Sequence, residues 1–233
     1  MTTKEKLNVS DREIVVPGDV LAEGMSYLPS GRATRDGEKI IATSLGLTNV
    51  KGHVVKVIPL AGRYMAKRGD SIIGKITEIA KFGWRVNIHC PNDADLPIAE
   101  ASSSYLDTNR NPMSKFFDVG DLIFAGISEI TSSGFVKLSA RNHPYRKLHE
   151  GIIIDVSPTK IPRIIGKQGS MIKMLKDGSG CDIIVGQNGW VWIRHDDPEK
   201  QRLIVNAIKK IEHESHIPGL TDKIKAMLNG GKK

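Results

Sequence analysis

Cysteine is nearly absent. Cys90 and Cys181 are the only two in 233 residues and lie far apart. That excludes a disulfide framework or a cysteine-based zinc site and suits a reducing compartment. No apolar run approaches the roughly 18 residues that a membrane helix needs, so no membrane partner is expected. The polar start Met1-Thr2-Thr3-Lys4-Glu5-Lys6 does not resemble a signal peptide, and a cytoplasmic location is expected. No paired carboxylates and no His cluster fall at metal-ligand spacing, which argues against a hydrolytic or metal centre. There is no basic tail either. The net charge of +8 and pI of about 9.4 are spread as +2 over residues 1–65, +2 over 66–149 and +4 over 150–233. A basic balance favours polyanionic partners, and any binding face must come from folding.

What is present divides into three parts. Residues 1–65 show short apolar runs (Glu13–Val16, Asp19–Ala22, Lys39–Thr43, His53–Ile58) punctuated by Pro17-Gly18, Pro29-Ser30-Gly31, Asp36-Gly37 and Lys51-Gly52. No helix-length period occurs, so a small β domain is expected. A unit this small buries little core alone and is expected to lean on a neighbouring domain or on another protein. Arg32 and Arg35 fall in a hairpin, as solvated turn charges or as an extra anion contact. The triplet x-Gly-Asp recurs at Pro17-Gly18-Asp19, Arg68-Gly69-Asp70 and Val119-Gly120-Asp121, each before an apolar run. It reads as a repeated turn into a strand.

Residues 66–145 contain five strand-like runs: Ser71–Ile79, Trp84–His89, Leu96–Ile98, Leu122–Ile130 and Gly134–Ser139. They imply a small barrel with no interior helix. In the second run Trp84, Val86 and Ile88 share one face, leaving Arg85, Asn87 and His89 outward. Lys81 and Phe82 precede it, Phe82 as core or as a base-stacking ring. His89 has no partner at metal-ligand spacing. The polar segment 101–118 offers Arg110 and Lys115 as phosphate contacts or as ordinary loop charges. Arg141 to Lys147, with Arg146, reads as a basic linker that extends a phosphate track.

Residues 146–233 hold Ile164-Ile165-Gly166-Lys167-Gln168-Gly169-Ser170-Met171-Ile172. Glycine admits positive φ and close approach of a ligand. A helix starting near Ser170 would aim free N–H groups and its positive dipole end at the loop. Lys167 adds charge, and Arg163 and Lys173 flank it. A plain turn between two helices fits the four loop residues equally well. Strands at Ile152–Val156, Cys181–Val185 and Trp190–Arg194, a hairpin at Asn188-Gly189, and a helix capped by Asp197-Pro198 complete the pattern. A last short helix is expected over Thr221–Leu228.

The order strand-helix-loop-helix-strand-strand-helix, with Ile-Ile-Gly-x-x-Gly-x-x-Ile, resembles a KH domain. In that family the glycine loop clamps the backbone of single-stranded nucleic acid and the bases lie on an apolar shelf. Ile161, Ile164, Ile165 and Ile172 are shelf candidates. Gly74-Lys75-Ile76, Phe82-Gly83, Val86, Leu96-x-Ile98-x-Glu100, Val119-Gly120-Asp121 and Val136-x-Leu138-Ser139 resemble the OB-fold RNA-binding domain of ribosomal-protein type. Arg85 stands where that family often has a second aromatic, Pro97 where it has a histidine and Phe135 where it has an arginine.

Small β domain, OB barrel and KH domain together resemble the RNA-binding cap subunits of the archaeal exosome, of the ribosomal RNA-processing protein four type. The resemblance implies a non-catalytic subunit without cofactor. Typically three copies sit on a ring of RNase PH-like subunits and pass single-stranded RNA 3′ ends to its pore. It places RNA contacts at Lys81, Phe82, Arg85, His89, Arg110, Lys115, Arg141, Arg146, Arg163, Gly166, Lys167, Gln168, Gly169 and Lys173. The alternatives are a nuclease, for which the chain lacks catalytic repeats, and a free RNA-binding factor of transcription or translation.

Overall fold

A computed structural model describes residues 5–103, 112–215, 217 and 219–230. It divides into two compact units, Met1–Gly62 and Arg63–Lys233.

The first unit is all β. Its strands are β1 (Lys6–Leu7), β2 (Ile14–Val15), β3 (Val20–Glu23), β4 (Leu28–Gly31), β5 (Ala33–Asp36), β6 (Lys39–Ala42), β7 (Gly46–Lys51) and β8 (Val54–Pro59). They form two four-stranded sheets, ordered β1-β3-β6-β5 and β2-β7-β8-β4. Leu21, Ala22, Ile40, Ala42, Val55 and Val57 fill the core. Buried Thr48 ties the sheet to the incoming chain: its hydroxyl donates to the Ser10 carbonyl at 2.6 Å and accepts from the Glu13 N–H at 2.9 Å. Arg35 is half-buried and donates to the Gly24 carbonyl at 3.1 Å and to the Tyr27 carbonyl. It closes a loop and is not the solvated turn charge that the sequence suggests.

The x-Gly-Asp triplets are three copies of one turn. Gly18, Gly69 and Gly120 have φ of 96°, 88° and 96°. The aspartate N–H bonds the carbonyl three residues back, at Val16, Lys67 and Asp118. Positive φ at the third position marks a type II turn, which glycine adopts without strain. In two copies the aspartate carboxylate also accepts a backbone N–H, from Val16 and from Asp118.

The second unit opens with β9 (Ser71–Ala80), β10 (Gly83–Asn87), β11 (Ala94–Pro97), α1 (Ile98–Ala101), β12 (Leu122–Ile130), β13 (Val136–Ser139) and β14 (Arg146–Leu148). The sheet order is β13-β11-β10-β9-β12-β14, and β13 also pairs with β12, which closes a five-stranded barrel. Alternate inward residues, among them Ile72, Ile76, Trp84, Val86, Leu96, Ile123, Ile127 and Leu138, form its core. Trp84 donates from Nε1 to the Phe117 carbonyl at 2.9 Å.

Two local expectations change. The chain turns into α1 at Ile98, so the barrel carries a short interior helix. The second strand stops at Asn87, because its Oδ1 accepts the His89 N–H at 2.8 Å and His89 takes a left-handed φ of 59°.

The KH part follows as β15 (Ile152–Asp155), α2 (Ile161–Ile165), α3 (Ser170–Ser179), β16 (Asp182–Val185), β17 (Trp190–Arg194), α4 (Pro198–His213) and α5 (Leu220–Gly230). The sheet order is β15-β17-β16. Asp197 caps α4, accepting the Glu199 N–H at 2.9 Å. One face of the sheet packs on the helices through Ile183, Val191 and Ile193. The other packs on the barrel: Trp192, Ile153, Ile184 and Trp190 meet Ile73, Phe124 and Leu148.

Asn188, fully buried at the β16–β17 hairpin tip, reaches into the barrel. It donates to the Ile73 and Ile88 carbonyls at 2.7 and 2.9 Å and accepts from the Ile73 N–H at 3.3 Å. A buried amide with its hydrogen bonds satisfied fixes one register of the two domains.

Candidate nucleic-acid interface

Helix α2 ends at Gly166, whose φ of 76° and ψ of 175° no other residue type adopts readily. A Cβ there would lie 2.7 Å from the Met171 backbone nitrogen. Gln168 and Gly169 are also left-handed, at φ of 52° and 78°. This run folds the loop tightly against the first turn of α3. No side chain caps α3; the Ser170 N–H bonds the Lys167 carbonyl, and the positive dipole end of the helix faces the loop. Arg163, Lys167 and Lys173 are exposed, and none has an ion-pair partner among the described residues. The structure therefore brings six of the expected residues, Arg163, Gly166 to Gly169 and Lys173, into one basic corner. The four shelf candidates divide by burial. Ile161 and Ile164 are buried in the core, whereas Ile165 and Ile172 are only partly buried and can offer surface to a base.

A second group lies at the β9–β10 hairpin of the barrel. Phe82 is 76% exposed, which excludes core packing. Lys81 Nζ stands 5.4 Å from its ring centroid, a cation–π contact. Phe135, 62% exposed, follows the β12–β13 turn, where its N–H donates to the Thr131 hydroxyl at 3.0 Å. The sequence placed Phe135 at an arginine position of the barrel family, and its place after the turn glycine Gly134 was the available signal for an exposed ring.

The remaining described candidates have partners within the protein. Arg85 lies 3.7 Å from Glu78 and 3.8 Å from Asp95. Arg141 lies 3.7 Å from Glu100. Arg146 is part of β14 and bonds Asp182 of the KH sheet at 2.7 Å, while Lys147 bonds Asp121. The expected basic linker is thus a turn over 141–144 that leads into β14, with its Arg141, Arg146 and Lys147 paired within the protein. His89 is exposed, as expected, but leans away from Arg85. Its ring stacks on Trp190 at 5.4 Å and 19°, with Asp155 at 3.6 Å, so it belongs to the barrel–KH junction. Lys115 sits in a short 3₁₀ turn with partners of its own. Arg110 lies outside the described residues.

Family models match the three parts in the same order. Residues 12–61 match the exosome RNA binding protein RRP4 N-terminal domain, 63–129 the RRP4 S1 domain and 151–199 the KH domain. The exosome complex component Rrp4 of Pyrococcus furiosus is 42% identical over 96% of this chain and 85% of its own. The chain belongs to the Rrp4 family. The Rrp4 component of Thermofilum pendens is 38% identical, over 95% of this chain and 94% of its own. A crystal structure assigned as an exosome complex RNA-binding protein matches with a TM-score of 0.65 and 28% identity, over 72% of this chain and 97% of that one. The Rrp4 S1 match takes in the barrel from β9 into β12, with the exposed Phe82, and the KH match includes the loop at Gly166 to Gly169.

Proposed function

We propose that this chain is a non-catalytic RNA-binding cap subunit of an exosome. It binds single-stranded RNA at the α2–α3 loop and on the barrel. It docks on RNase PH-like ring subunits, three copies to a ring, and guides RNA 3′ ends toward the pore. The observation that carries the reading is the α2–α3 corner: a helix N-terminus without a side-chain cap, a loop with Gly166, Gln168 and Gly169 at positive φ, and three cations without an ion-pair partner among the described residues, in a chain of the Rrp4 family. Such a corner suits a sugar-phosphate backbone and supplies no acid, base or nucleophile.

The first unit supports docking on a partner. Ile14, Leu47 and Ile58 stand in one row across β2, β7 and β8. Leu28 pairs with Val54 on the same outer face. Ile14 is 65% exposed, and Leu28, Val54 and Ile58 are exposed too. The polar row Ser30, Lys56 and Asn49 runs between these two apolar groups; exposed apolar side chains on either side of it, on so small a sheet, favour docking on a partner.

The test uses the full chain and a chain of residues 63–233. Both are expected to bind single-stranded RNA in fluorescence anisotropy, while only the full chain co-purifies with RNase PH-like ring subunits. Loss of RNA binding on truncation, or assembly without residues 1–62, rejects this division of roles.

A further inference from the structure

The segment Arg63–Asp70 crosses the barrel as a tethered strap. Tyr64 is its anchor: the ring is buried, its hydroxyl donates to Asp70 Oδ2 at 2.7 Å, and its carbonyl accepts from Cys90 Sγ at 3.3 Å. The type II turn at Lys67–Asp70 is pinned at both ends of Ile127. The Gly69 N–H bonds the Ile127 carbonyl at 2.9 Å, and the Ile127 N–H bonds the Asp70 carbonyl at 2.8 Å. Arg63, Met65, Lys67 and Arg68 therefore face solvent from a backbone with little freedom.

Beside this turn lies an open groove of about 580 Å³ lined by Arg68, Pro97, Glu100, Ser128, Glu129 and Lys137. That volume is of the order used for one small-molecule subsite. Its charges are not equivalent. Lys137 Nζ takes Glu129 Oε2 at 2.8 Å, and Arg141 faces Glu100 at 3.7 Å. Arg68 has no ion-pair partner among the described residues. It is the cation left to meet an anion. Glu129 Oε1 takes no hydrogen bond among the described residues and can accept one. The hydrogen bond and charge of Lys137, with a smaller pull from Arg68, hold its carboxyl below the ordinary range. It is therefore an ionised acceptor at neutral pH. Pro97 gives the groove an apolar wall, and it pairs with Gly83, next to exposed Phe82.

A groove for phosphate alone would not contain two carboxylates. A groove for a basic peptide would not be flanked by Arg63, Lys67 and Arg68. Cation, ionised acceptor and apolar wall together match a whole ribonucleotide. Its phosphate is the anion, its 2′-hydroxyl is the donor that distinguishes RNA from DNA, and its ring supplies the apolar surface. We propose that this groove is a ribonucleotide subsite of the barrel, with Arg68 holding the phosphate and Glu129 accepting the 2′-hydroxyl of one nucleotide. The inference rests on the RNA-binding reading above and adds to it a site that senses the sugar.

Arg68→Ala and Glu129→Gln in the full chain test it, with single-stranded RNA and DNA of one sequence measured by fluorescence anisotropy. Thermal melts confirm folding, since both side chains are exposed. Arg68→Ala weakens RNA and DNA alike, by about five- to tenfold, the scale of one charge-assisted contact. Glu129→Gln weakens RNA several-fold, leaves DNA unchanged and moves the RNA-to-DNA ratio toward one. In RNAs carrying a single 2′-deoxy substitution, one position costs the wild type affinity and costs the Glu129→Gln protein nothing. If wild type binds RNA and both variants bind as it does, the proposed function stands and the subsite is rejected. A loss of exosome assembly in Arg68→Ala with unchanged RNA affinity makes the groove a protein contact and also rejects it. Failure of the wild type to bind RNA overturns both readings.

Discussion

Lys167 and Gln168 sit at the tip of the α2–α3 loop, both exposed, with Gln168 in the left-handed region. Aspartate tolerates that region better than most side chains, so Lys167→Asp with Gln168→Asp changes little in the fold. It does place two negative charges at the uncapped end of α3, where a phosphate chain would run. RNA affinity is expected to fall about tenfold or more, each 1.4 kcal/mol being a factor of ten, while the circular-dichroism melt stays near wild type. Unchanged affinity would move the main contact to the barrel. Tyr64 gives a test at alkaline pH. Burial first, and then its bond to Asp70, push its phenol well above the ordinary value. The folded chain holds this proton more tightly than the unfolded one. The resulting stability is complete below about pH 10, the unfolded value, and is lost as pH rises beyond it. Urea midpoints between about pH 9 and 11 should fall more steeply for wild type than for Tyr64→Phe. Parallel curves would show that the phenol ionises as freely in the fold as outside it.

Among the elements, the β16–β17 hairpin shows where local pattern stops being informative. Asn188-Gly189 was legible as a turn, and the turn is there. That the Asn188 side chain enters the barrel was not legible, because its partner Ile73 lies 115 positions away. Removing it leaves the Ile73 and Ile88 backbone groups buried without partners, at about 1–3 kcal/mol for each. Asn188→Ala is therefore expected to lower the urea midpoint clearly. A midpoint equal to wild type would mean that the barrel and KH sheet are held by apolar packing alone. The long strand β9, the loop before α3 and the cap of α4 could be read because each follows a local rule of period, glycine or capping. Strands β4 and β5 could not: Leu28-Pro29-Ser30-Gly31 and Ala33-Thr34-Arg35-Asp36 carry no apolar alternation, and pairing with β8 and β6 makes them strands. The same limit explains His89. Strand alternation set it beside Arg85, but a hydrogen bond from its own N–H to Asn87 turns it toward Trp190. The β9–β10 hairpin carries the complementary prediction. Phe82 packs on nothing in the core, so Phe82→Ala should leave the melt unchanged. RNA affinity should fall by the roughly 1–3 kcal/mol of one stacked base. A lowered melt without lost affinity would make the ring structural.

For the whole molecule, two properties are divided between two units. The apolar row of Ile14, Leu47 and Ile58 lies in the first, and the basic α2–α3 corner in the second. Neutralising phosphates on a single strand releases counterions, so log affinity should fall with log salt at about 0.7 per contact. Affinity that ignores salt would contradict a phosphate-clamping loop. The composition made a polyanionic partner legible, and the glycine loop made a nucleic acid the natural one. The docking face was legible only as an excess of apolar runs, because which residues of a strand face outward depends on its pairing. The most direct measurement is size-exclusion chromatography with light scattering of the full chain mixed with RNase PH-like ring subunits. The account predicts co-elution at the mass of a ring carrying three copies. Elution of this chain alone, with an unchanged ring beside it, would contradict the account.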